Sequence, residues 1–585
     1  MRPICWFTLS LLHSLYFGIL ATIYALSHPY IVQDDARQHT VWMQRLVDPS
    51  LFPQDQIADY YQAIAPIGFH QFYRLMAHLG IEPLLLAKIL PLLLALIMTG
   101  YSFRVCQRLT SSPAAAFLGT LFLNQAIWLK DDVVSASPRA FLYPIFAAFL
   151  YYLLRRSLLP CLFTILLQGI FFPQMALVHL ALLTVRLVEW RNSRPHWTKQ
   201  RFNWVLWGLG VGLGLGVILL FSTDLQDLGP TFTVPQMKQM IEFATQGRTR
   251  YFGVSPVEFW LGGASGLRPP LLPVAIWLSV ALPFWWKRSA IAPILTPEIK
   301  LLPEILVASL GLFGLAHVLF PRLYFPNRYT YHSLRFVMAI AAGIILWYLL
   351  KTFWQWILTQ KRLPWLTRRI SVVRWENTTK PNPQNPTATP TKNPRRFRES
   401  GWLGLWSSLI IATFLVPALP PLLFLCQAWH VGQAPAIYEF LAAQPKDILI
   451  ASLDDEADNL PAFTQRSVLV SGEFAFAFHV RYYSEMKQRT QNLLQAHYSP
   501  DLSVVQSFNQ QYGIDFWLIN QDFLQPDYLL SKSWLVNSSL QSEVLQIANQ
   551  LEGGNRGAIA PFITQCTVAQ TETLSLLDVQ CLQAP

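Results

Sequence analysis

Two pairs of adjacent aspartates are the residues of this sequence best suited to chemistry. Asp34 and Asp35 begin a polar stretch directly after the first apolar segment, and Asp131 and Asp132 separate two later apolar segments. Adjacent carboxylates can act as a general base or hold a divalent cation, although aspartate is also a common helix cap. Hard oxygen ligands suit Mg²⁺ or Mn²⁺, which can neutralise a diphosphate leaving group, so Asp131 and Asp132 are candidate metal ligands.

The segment 320–335 contains a second set of chemically useful side chains. It is rich in tyrosine and contains Arg322, Arg328 and Arg335. A guanidinium group is suited to bidentate phosphate binding, and the alternative is an aromatic belt whose arginines reach the membrane interface. These three arginines are the candidate phosphate-binding residues.

A long segment at 223–268 contains Arg248, Arg250 and Tyr251. Its length is typical of a mobile loop that covers a substrate, and the alternative is an irregular cap on the membrane surface. The three residues are therefore candidate substrate contacts.

The composition indicates which kind of scaffold positions these residues. Of the 585 residues, 53% are hydrophobic and 13% are charged, whereas soluble domains carry about 25% charged residues. Residues 430–585 contain seven Lys and Arg but 16 Asp and Glu, so the net charge of +11 comes from loops between apolar segments. The positive-inside rule explains this distribution, and we therefore exclude nucleic acid as a partner.

Apolar segments of about 20 residues span a bilayer as helices. Nine segments are candidates: 4–26, 83–103, 113–129, 138–154, 202–222, 269–286, 301–320, 334–356 and 402–429. A further apolar stretch, 157–188, is interrupted at Pro173 and has basic residues at both ends. Because proline disfavours a straight helix and basic loops lie in the cytoplasm, we expect a short helical hairpin there rather than one long kinked helix.

The sequence therefore predicts an α-helical polytopic membrane protein of about eleven helices, with its N-terminus in the cytoplasm. Residues 1–429 form the transmembrane domain with its outer-face loops, including a basic cytoplasmic linker at 357–401 before the last span. Residues 430–585 alternate helical and β-rich patterns, which predicts a small soluble α/β domain outside the cytoplasm. In that domain Cys566 and Cys581 are either a disulfide, which export would allow, or two buried thiols.

The acidic pairs resemble motifs of the GT-C superfamily of membrane glycosyltransferases. This superfamily includes oligosaccharyltransferase catalytic subunits and polyprenyl-phosphate-sugar-dependent enzymes. In it one acidic motif follows the first span and a second lies in the next outer loop, which are the places of Asp34-Asp35 and Asp131-Asp132. The runs at 438–441, 445–447, 454–455 and 466–470 resemble the superfamily's entry into its outer domain.

The resemblance implies that Asp34 or Asp35 is the catalytic acid or base and that Asp131 or Asp132 can bind metal. It implies an isoprenoid phosphate or diphosphate sugar donor and a glycan, lipid or protein acceptor, and the expected location is the bacterial plasma membrane. Two departures limit what is carried over. The sequence has no Trp-Trp-Asp acceptor motif, so transfer to asparagine is not expected, and metal dependence varies within the superfamily.

The competing prediction is a non-enzymatic membrane protein. It would be a flippase or transporter of lipid-linked glycans, or an assembly scaffold with an outer binding domain. The centres of the predicted spans carry almost no charge, which argues against ion-coupled transport. An enzyme should bring the acidic pairs and an outer-loop arginine around one cavity open to lipid, whereas a scaffold should leave them scattered.

Overall fold

The computed structural model describes residues 2–130, 132–191, 194–224, 228–286, 291–361 and 429–583. Asp131, most of the predicted linker and the last predicted span, apart from Trp429, lie outside these ranges. Residues 357–361, predicted as the start of the linker, instead continue a helix that begins at Asn327.

The N-terminal part of the chain is built mainly from apolar helices. Proline occupies the first turn of many of them, where its missing N–H group is not needed. The elements are α1 (Pro3–Ala25), β1 (Ile31–Gln33), α2 (Asp34–His39), α3 (Gln56–Ile64), α4 (Ile67–His78), α5 (Pro83–Leu109), α6 (Pro113–Trp128), α7 (Pro138–Leu154), α8 (Leu158–Phe171), α9 (Pro173–Val185), β2 (Val188–Arg191), β3 (Arg194–Trp197), α10 (Arg201–Asp224), α11 (Val234–Gln239), α12 (Pro256–Leu261), α13 (Leu282–Trp285), α14 (Leu301–Val318) and α15 (Asn327–Lys361).

Within the described ranges, five helices are long and apolar enough to cross a membrane. They are Pro3–Ala25, Pro83–Leu109, Arg201–Leu220, Pro297–Val318 and Asn327–Gln355. Shorter apolar helices accompany them at Pro138–Leu154, Leu158–Phe171, Pro173–Val185 and Val274–Trp285. The chain is therefore an integral membrane protein, as its composition predicts.

Helices α8 and α9 form the predicted hairpin. A Cβ atom added to Gly210 of α10 would contact both Ile165 of α8 and Leu183 of α9. In one straight helix the rise from residue 165 to residue 183 would be about 27 Å, so α8 and α9 must fold back on each other. The chain reverses at Phe172, whose φ of −152° and ψ of 82° are not helical, next to Pro173.

The predicted span at 269–286 is not one regular helix. Three prolines at 269, 270 and 273 precede a 3₁₀ helix, Val274–Ala281, which passes into the four-residue α13. Proline removes a backbone donor and fixes φ, so a long α-helix cannot begin across these positions.

The C-terminal part is a small mixed α/β domain. Its elements are β4 (Trp429–Val431), α16 (Pro435–Ala442), β5 (Leu449–Ala451), α17 (Leu460–Thr464), β6 (Ser467–Val468), α18 (Val480–Tyr498), α19 (Leu502–Tyr512), β7 (Phe516–Asn520), α20 (Pro526–Ser531), α21 (Ser533–Val536), α22 (Gln541–Glu552), α23 (Ile563–Cys566), β8 (Thr567–Gln570), β9 (Leu574–Asp578) and α24 (Val579–Gln583). The strand order is β6-β5-β7-β9-β8, with β5 parallel to β6 and β7, and β9 antiparallel to β7 and β8. Cys566 and Cys581 form a disulfide.

The predicted outer loops and the C-terminal domain meet at one end of the helical part. Strand β1, which follows α1, pairs antiparallel with β4 of the C-terminal domain. Asn327 donates a hydrogen bond to the Gly263 carbonyl at 3.2 Å, and Arg248 donates one to the Gly472 carbonyl at 2.6 Å. These contacts bring the segments that follow α1, precede α12 and precede α15 together with the C-terminal domain at one face of the protein.

Candidate functional site

Asp35 and Asp132 are connected through Arg139, which stands in the first turn of α7. Arg139 Nη2 forms an ion pair with Asp35, and its Nε lies 3.9 Å from Asp132 Oδ1. The Asp132 side chain is fully buried, whereas that of Asp35 is 25% exposed. One guanidinium group therefore lies between two carboxylates that were predicted to share a site.

Helix α15 holds Asp132 from the other side. Arg335 Nη1 forms an ion pair with Asp132, and the Tyr143 hydroxyl donates a hydrogen bond to Asp132 Oδ2 at 2.9 Å. His332 Nδ1 lies 2.9 Å from the same hydroxyl, and the Arg335 guanidinium lies 3.9 Å from the centre of the Tyr331 ring. Arg335, predicted to bind phosphate, is thus buried and engaged with Asp132.

Asp34 faces the C-terminal domain instead of this network. Consecutive helical residues point about 100° apart, and Asp34 pairs with Arg37 at 2.5 Å and accepts a hydrogen bond from His430 at 3.1 Å. Burial raises the pKa of Asp34, but these two partners outweigh it and hold the pKa at about 2. Asp34 is therefore a weak base, and Asp35 is the carboxylate of the pair that lies beside the membrane helices.

Positive charge gathers around His332. Arg139, Arg268 and Arg328 all lie close enough to act on this imidazole electrostatically. Arg328, one of the predicted phosphate-binding residues, also lies 5.8 Å from the Tyr324 ring. This concentration of guanidinium groups is suited to an anionic ligand.

Arg139 and Arg328 also act on His39 of α2. Burial lowers the pKa of His39, and the two arginines lower it further while Asp35 opposes them. His39 is therefore neutral near pH 7. The third predicted phosphate-binding residue, Arg322, is exposed on the loop before α15.

The predicted substrate loop is docked against the rest of the protein. Tyr251 is 4% exposed and stacks on Phe320 with ring centres 4.2 Å apart. Arg248 reaches the C-terminal domain, where it lies 3.3 Å from Glu473, and Arg250 pairs with Glu258 at 3.2 Å. In this conformation Tyr251 is a core residue, because an aromatic cluster covers its ring.

An apolar groove of about 780 Å³ runs along α7 between α5 and α8. Phe141 borders the groove two residues after Arg139, and Tyr152 borders it near the other end of α7. The remaining lining is almost entirely hydrophobic, from Phe72, Leu90, Leu93, Leu94, Ile97, Tyr101, Pro144, Ile145, Ala148, Leu159, Pro160, Phe163, Thr164, Leu167 and Phe171. A long apolar chain fits such a groove.

Asp131 and Asp132 were predicted to bind a metal ion. Among the described residues, no three His, Cys, Asp or Glu side chains are grouped to hold one, and Asp131 lies outside those residues. The guanidinium groups of Arg139 and Arg335 both contact the Asp132 carboxylate. A cation bound there would have to displace one of them.

Several side chains of this site were not singled out from the sequence. Arg37 and Arg139 each lie within eight residues of an acidic pair, so their position was a usable signal. Tyr143, His332 and His430 have no such signal, because they reach the site only through helix packing and the β1–β4 pairing.

No protein family model matches the chain, and no curated protein matches it. Among solved structures, the chain resembles an archaeal oligosaccharyltransferase from Archaeoglobus fulgidus. The structure in complex with an inhibitory peptide and a dolichol-phosphate has a TM-score of 0.47 and 10% identity, over 92% of this chain and 72% of that one.

Two further structures of the Archaeoglobus fulgidus enzyme resemble the chain similarly. The form tethered to an acceptor peptide has a TM-score of 0.48 and 12% identity, and the apo form has 0.47 and 10%, each over 94% of this chain and 72% of that one.

Proposed function

We propose that this chain is a membrane glycosyltransferase that takes a sugar from an isoprenoid phosphate or diphosphate carrier. It transfers the sugar to an acceptor hydroxyl at the outer face of a bacterial plasma membrane, with the N-terminus in the cytoplasm and the C-terminal domain outside. The observation that carries this proposal is the position of Arg139, which lies between Asp35 and Asp132 on the same helix, α7, that borders the apolar groove.

The hydrophobic lining of the groove and its position along α7 support the proposal of a lipid-linked donor. An isoprenoid chain has no hydrogen-bonding groups, so a groove with hydrophobic lining is a suitable environment. The first turn of α7 carries Arg139, and Phe141 of the same turn borders the groove. We place the carrier's phosphate at this end of α7, where Arg139, Arg268 and Arg328 all lie close enough to His332 to act on it electrostatically.

In this proposal Arg139 can pair either with the Asp35 carboxylate or with the donor phosphate. Its ion pair with Asp35 neutralises the carboxylate when the donor is absent. A phosphate offers the guanidinium group a bidentate partner of higher charge. Donor binding would draw Arg139 away from Asp35 and leave that carboxylate free to accept a proton.

The proposed reaction is one displacement. Asp35 accepts the proton of the acceptor hydroxyl, and the hydroxyl oxygen forms a bond to the anomeric carbon of the sugar. The bond from that carbon to the phosphate oxygen breaks, and the carrier leaves as its phosphate, with its charge stabilised by Arg139, Arg268 and Arg328. Asp34 is less suited to this role, because its pKa of about 2 makes it a weaker base.

A divalent cation remains part of the proposal. Mg²⁺ or Mn²⁺ at Asp132, with Asp131 as a second ligand, would supply further positive charge for a phosphate leaving group. Chelation by EDTA should then lower the rate, and added Mg²⁺ or Mn²⁺ should restore it.

The test measures hydrolysis of the donor, in which water takes the place of the acceptor hydroxyl and receives the sugar, so that the acceptor need not be known. The full chain is reconstituted in liposomes with polyprenyl-phosphate-linked mannose or glucose, and the released polyprenyl phosphate is quantified. Asp35→Asn should reduce release at least 100-fold, since general base catalysis contributes about 10²–10⁴-fold. Asp522→Asn, at an exposed position of the C-terminal domain, should leave the rate unchanged.

A second variant separates phosphate binding from proton transfer. Arg139→Gln should raise the KM for the donor, because it removes the main phosphate contact. Equal release by the wild type and Asp35→Asn would reject the enzymatic proposal. Movement of the intact lipid-linked sugar across the bilayer in the same liposomes would instead favour a flippase.

A further inference from the structure

Three arginines lie at the end of the helical part opposite the candidate site. Arg104 and Arg108 stand near the end of α5, and Arg155 directly follows α7. Helix α7 has 17 residues, so Arg155 lies about 24 Å along the helix axis from Arg139. The proposed glycosyl transfer does not use these three residues.

The charges of these arginines are not balanced by nearby acids. At this end of the bundle Arg186 pairs with Glu304 at 3.5 Å, but in the described part of the chain no ion pair involves Arg104, Arg108 or Arg155. Arg155 instead donates a hydrogen bond to the Tyr151 hydroxyl at 3.3 Å. All three arginines are exposed, so they are available to an anionic partner.

Two connected clefts begin at these side chains. A cleft of about 440 Å³ is bordered by Arg104, Arg108 and Tyr151. A second, of about 560 Å³, also includes Arg104 and Tyr151, adds Arg155, and continues past Gly100 between α1, α5 and α7. The pair of clefts thus changes from cationic at the end of the bundle to apolar within it.

Tyrosines mark the boundary between the charged and apolar regions. The hydroxyls of Tyr101 and Tyr152 lie 2.9 Å apart, and the two rings lie 5.7 Å apart. Amphipathic rings of this kind sit where headgroups meet acyl chains. The second cleft therefore crosses from headgroup depth into hydrocarbon.

We propose that these clefts bind an anionic glycerophospholipid at the membrane face opposite the candidate site. The headgroup phosphate contacts Arg104, Arg108 and Arg155, and one acyl chain lies in the cleft between α1, α5 and α7. Basic pockets between membrane helices are suited to anionic headgroups, and the apolar continuation selects a lipid over a free anion. This inference does not rest on the proposed transferase activity, although the cleft shares Ile97, Tyr101 and Tyr152 with the groove proposed for the donor.

The first test compares two neighbouring arginines. The purified full chain is incubated with phosphatidylglycerol or phosphatidylcholine, and the bound lipid is counted by native mass spectrometry. Phosphatidylglycerol should be retained preferentially, and Arg155→Gln should lower its retention roughly fivefold. Arg156→Gln is the matched control, because Arg156 is exposed at the next position but borders neither cleft.

A second pair of variants tests the acyl-chain cleft. Gly100 lines the cleft, and a Cβ atom added there would have no atom within 4 Å. The side chain introduced by Gly100→Leu would therefore fill the cleft and should lower phosphatidylglycerol retention. Gly212 on α10 is equally open but lies outside the cleft. Gly212→Leu should therefore leave phosphatidylglycerol retention unchanged.

Three results would overturn the proposal. Equal losses from Arg155→Gln and Arg156→Gln would mean general attraction to a basic surface. Equal retention of the two lipids would remove the role of charge. Full displacement of the lipid by inorganic phosphate would mean a site for a free anion.

Discussion

At the scale of single residues, the central feature is how two adjacent aspartates come to differ. Asp34 points to Arg37 and His430, and its pKa is held at about 2. Asp35 points to Arg139 in the first turn of α7. The helical turn between consecutive residues separates them, so only one of the pair can face the membrane helices.

The buried pair of Asp132 and Arg335 provides a prediction at this scale. Both side chains are at most 2% exposed. Removing one partner of a buried ion pair leaves an uncompensated charge and costs about 3–5 kcal/mol. Asp132→Asn should therefore lower the melting temperature of the detergent-solubilised protein by several degrees.

The matched control is an ion pair near the surface. Arg45 and Asp59 lie 2.6 Å apart with Asp59 59% exposed, and such pairs contribute less than about 1 kcal/mol. Asp59→Asn should hardly change the melting temperature. If both variants melt at the wild-type temperature, Asp132 and Arg335 do not form the buried pair described above.

At the scale of elements, the segment from residue 228 to residue 268 acts as a strap across the two parts of the chain. Its Phe232 amide donates to the Phe478 carbonyl at 3.1 Å, and its Ser255 caps α12. Its core residue Tyr251 packs against Phe320 and Phe325 from the loop before α15. In this conformation these contacts dock the segment whose length predicts a mobile loop.

Removal of the Tyr251 ring should loosen the strap. Truncating a buried aromatic side chain to alanine costs about 3–5 kcal/mol. In Tyr251→Ala, trypsin should therefore cut after Arg248 and Arg250 several-fold faster than in the wild type, as measured by mass spectrometry of the fragments. Tyr16→Ala, at a position of α1 that is 44% exposed, serves as control. Wild-type cleavage rates in Tyr251→Ala would mean that the aromatic cluster does not hold the strap.

At the scale of the whole molecule, Arg37 joins the candidate site to the C-terminal domain. It is 4% exposed, donates to Asn459 at 3.1 Å and pairs with Glu473 at 3.3 Å. Because Arg37 also pairs with Asp34, any change in this interface reaches helix α2 and therefore Asp35.

The stability of this interface should depend on pH through Glu473. Burial raises the pKa of Glu473 to about 7 from 4.5, while Arg248 and Arg37 oppose the rise and Asp34 and Asp458 add to it. The folded protein therefore holds this proton more tightly than the unfolded chain does. The resulting stability is complete below pH 4.5 and is lost as the pH rises through about 7.

Glu473→Gln, which cannot lose a proton, should remove this dependence. Between pH 5 and pH 8 the free energy of unfolding of the wild type should fall relative to that of the variant by on the order of 2 kcal/mol, and its melting temperature should fall with it. The low pKa of Asp34 acts below pH 4 and does not contribute in this range. If the melting temperatures of the two proteins change with pH in the same way across this range, Glu473 does not titrate there.

The sequence by itself determined the membrane class, most helices and the hairpin. The membrane class follows from composition, the helices follow from runs of apolar residues, and the hairpin follows from Pro173 in a stretch with basic residues at both ends. Each of these features can be read from a short stretch of sequence. The small α/β domain was predicted for the same reason, since its strand and helix patterns are local too. The two acidic pairs were also recognisable, because adjacent carboxylates beside apolar segments are rare.

Only the tertiary structure decided which partners these residues have. Arg139 reaches Asp35 across 104 residues of chain, and Arg335 is turned inward to Asp132 rather than left free for phosphate. Tyr251 became a core residue because aromatic rings from a distant loop cover it. Such pairings depend on how helices pack and which face each side chain takes, and the local sequence does not specify either.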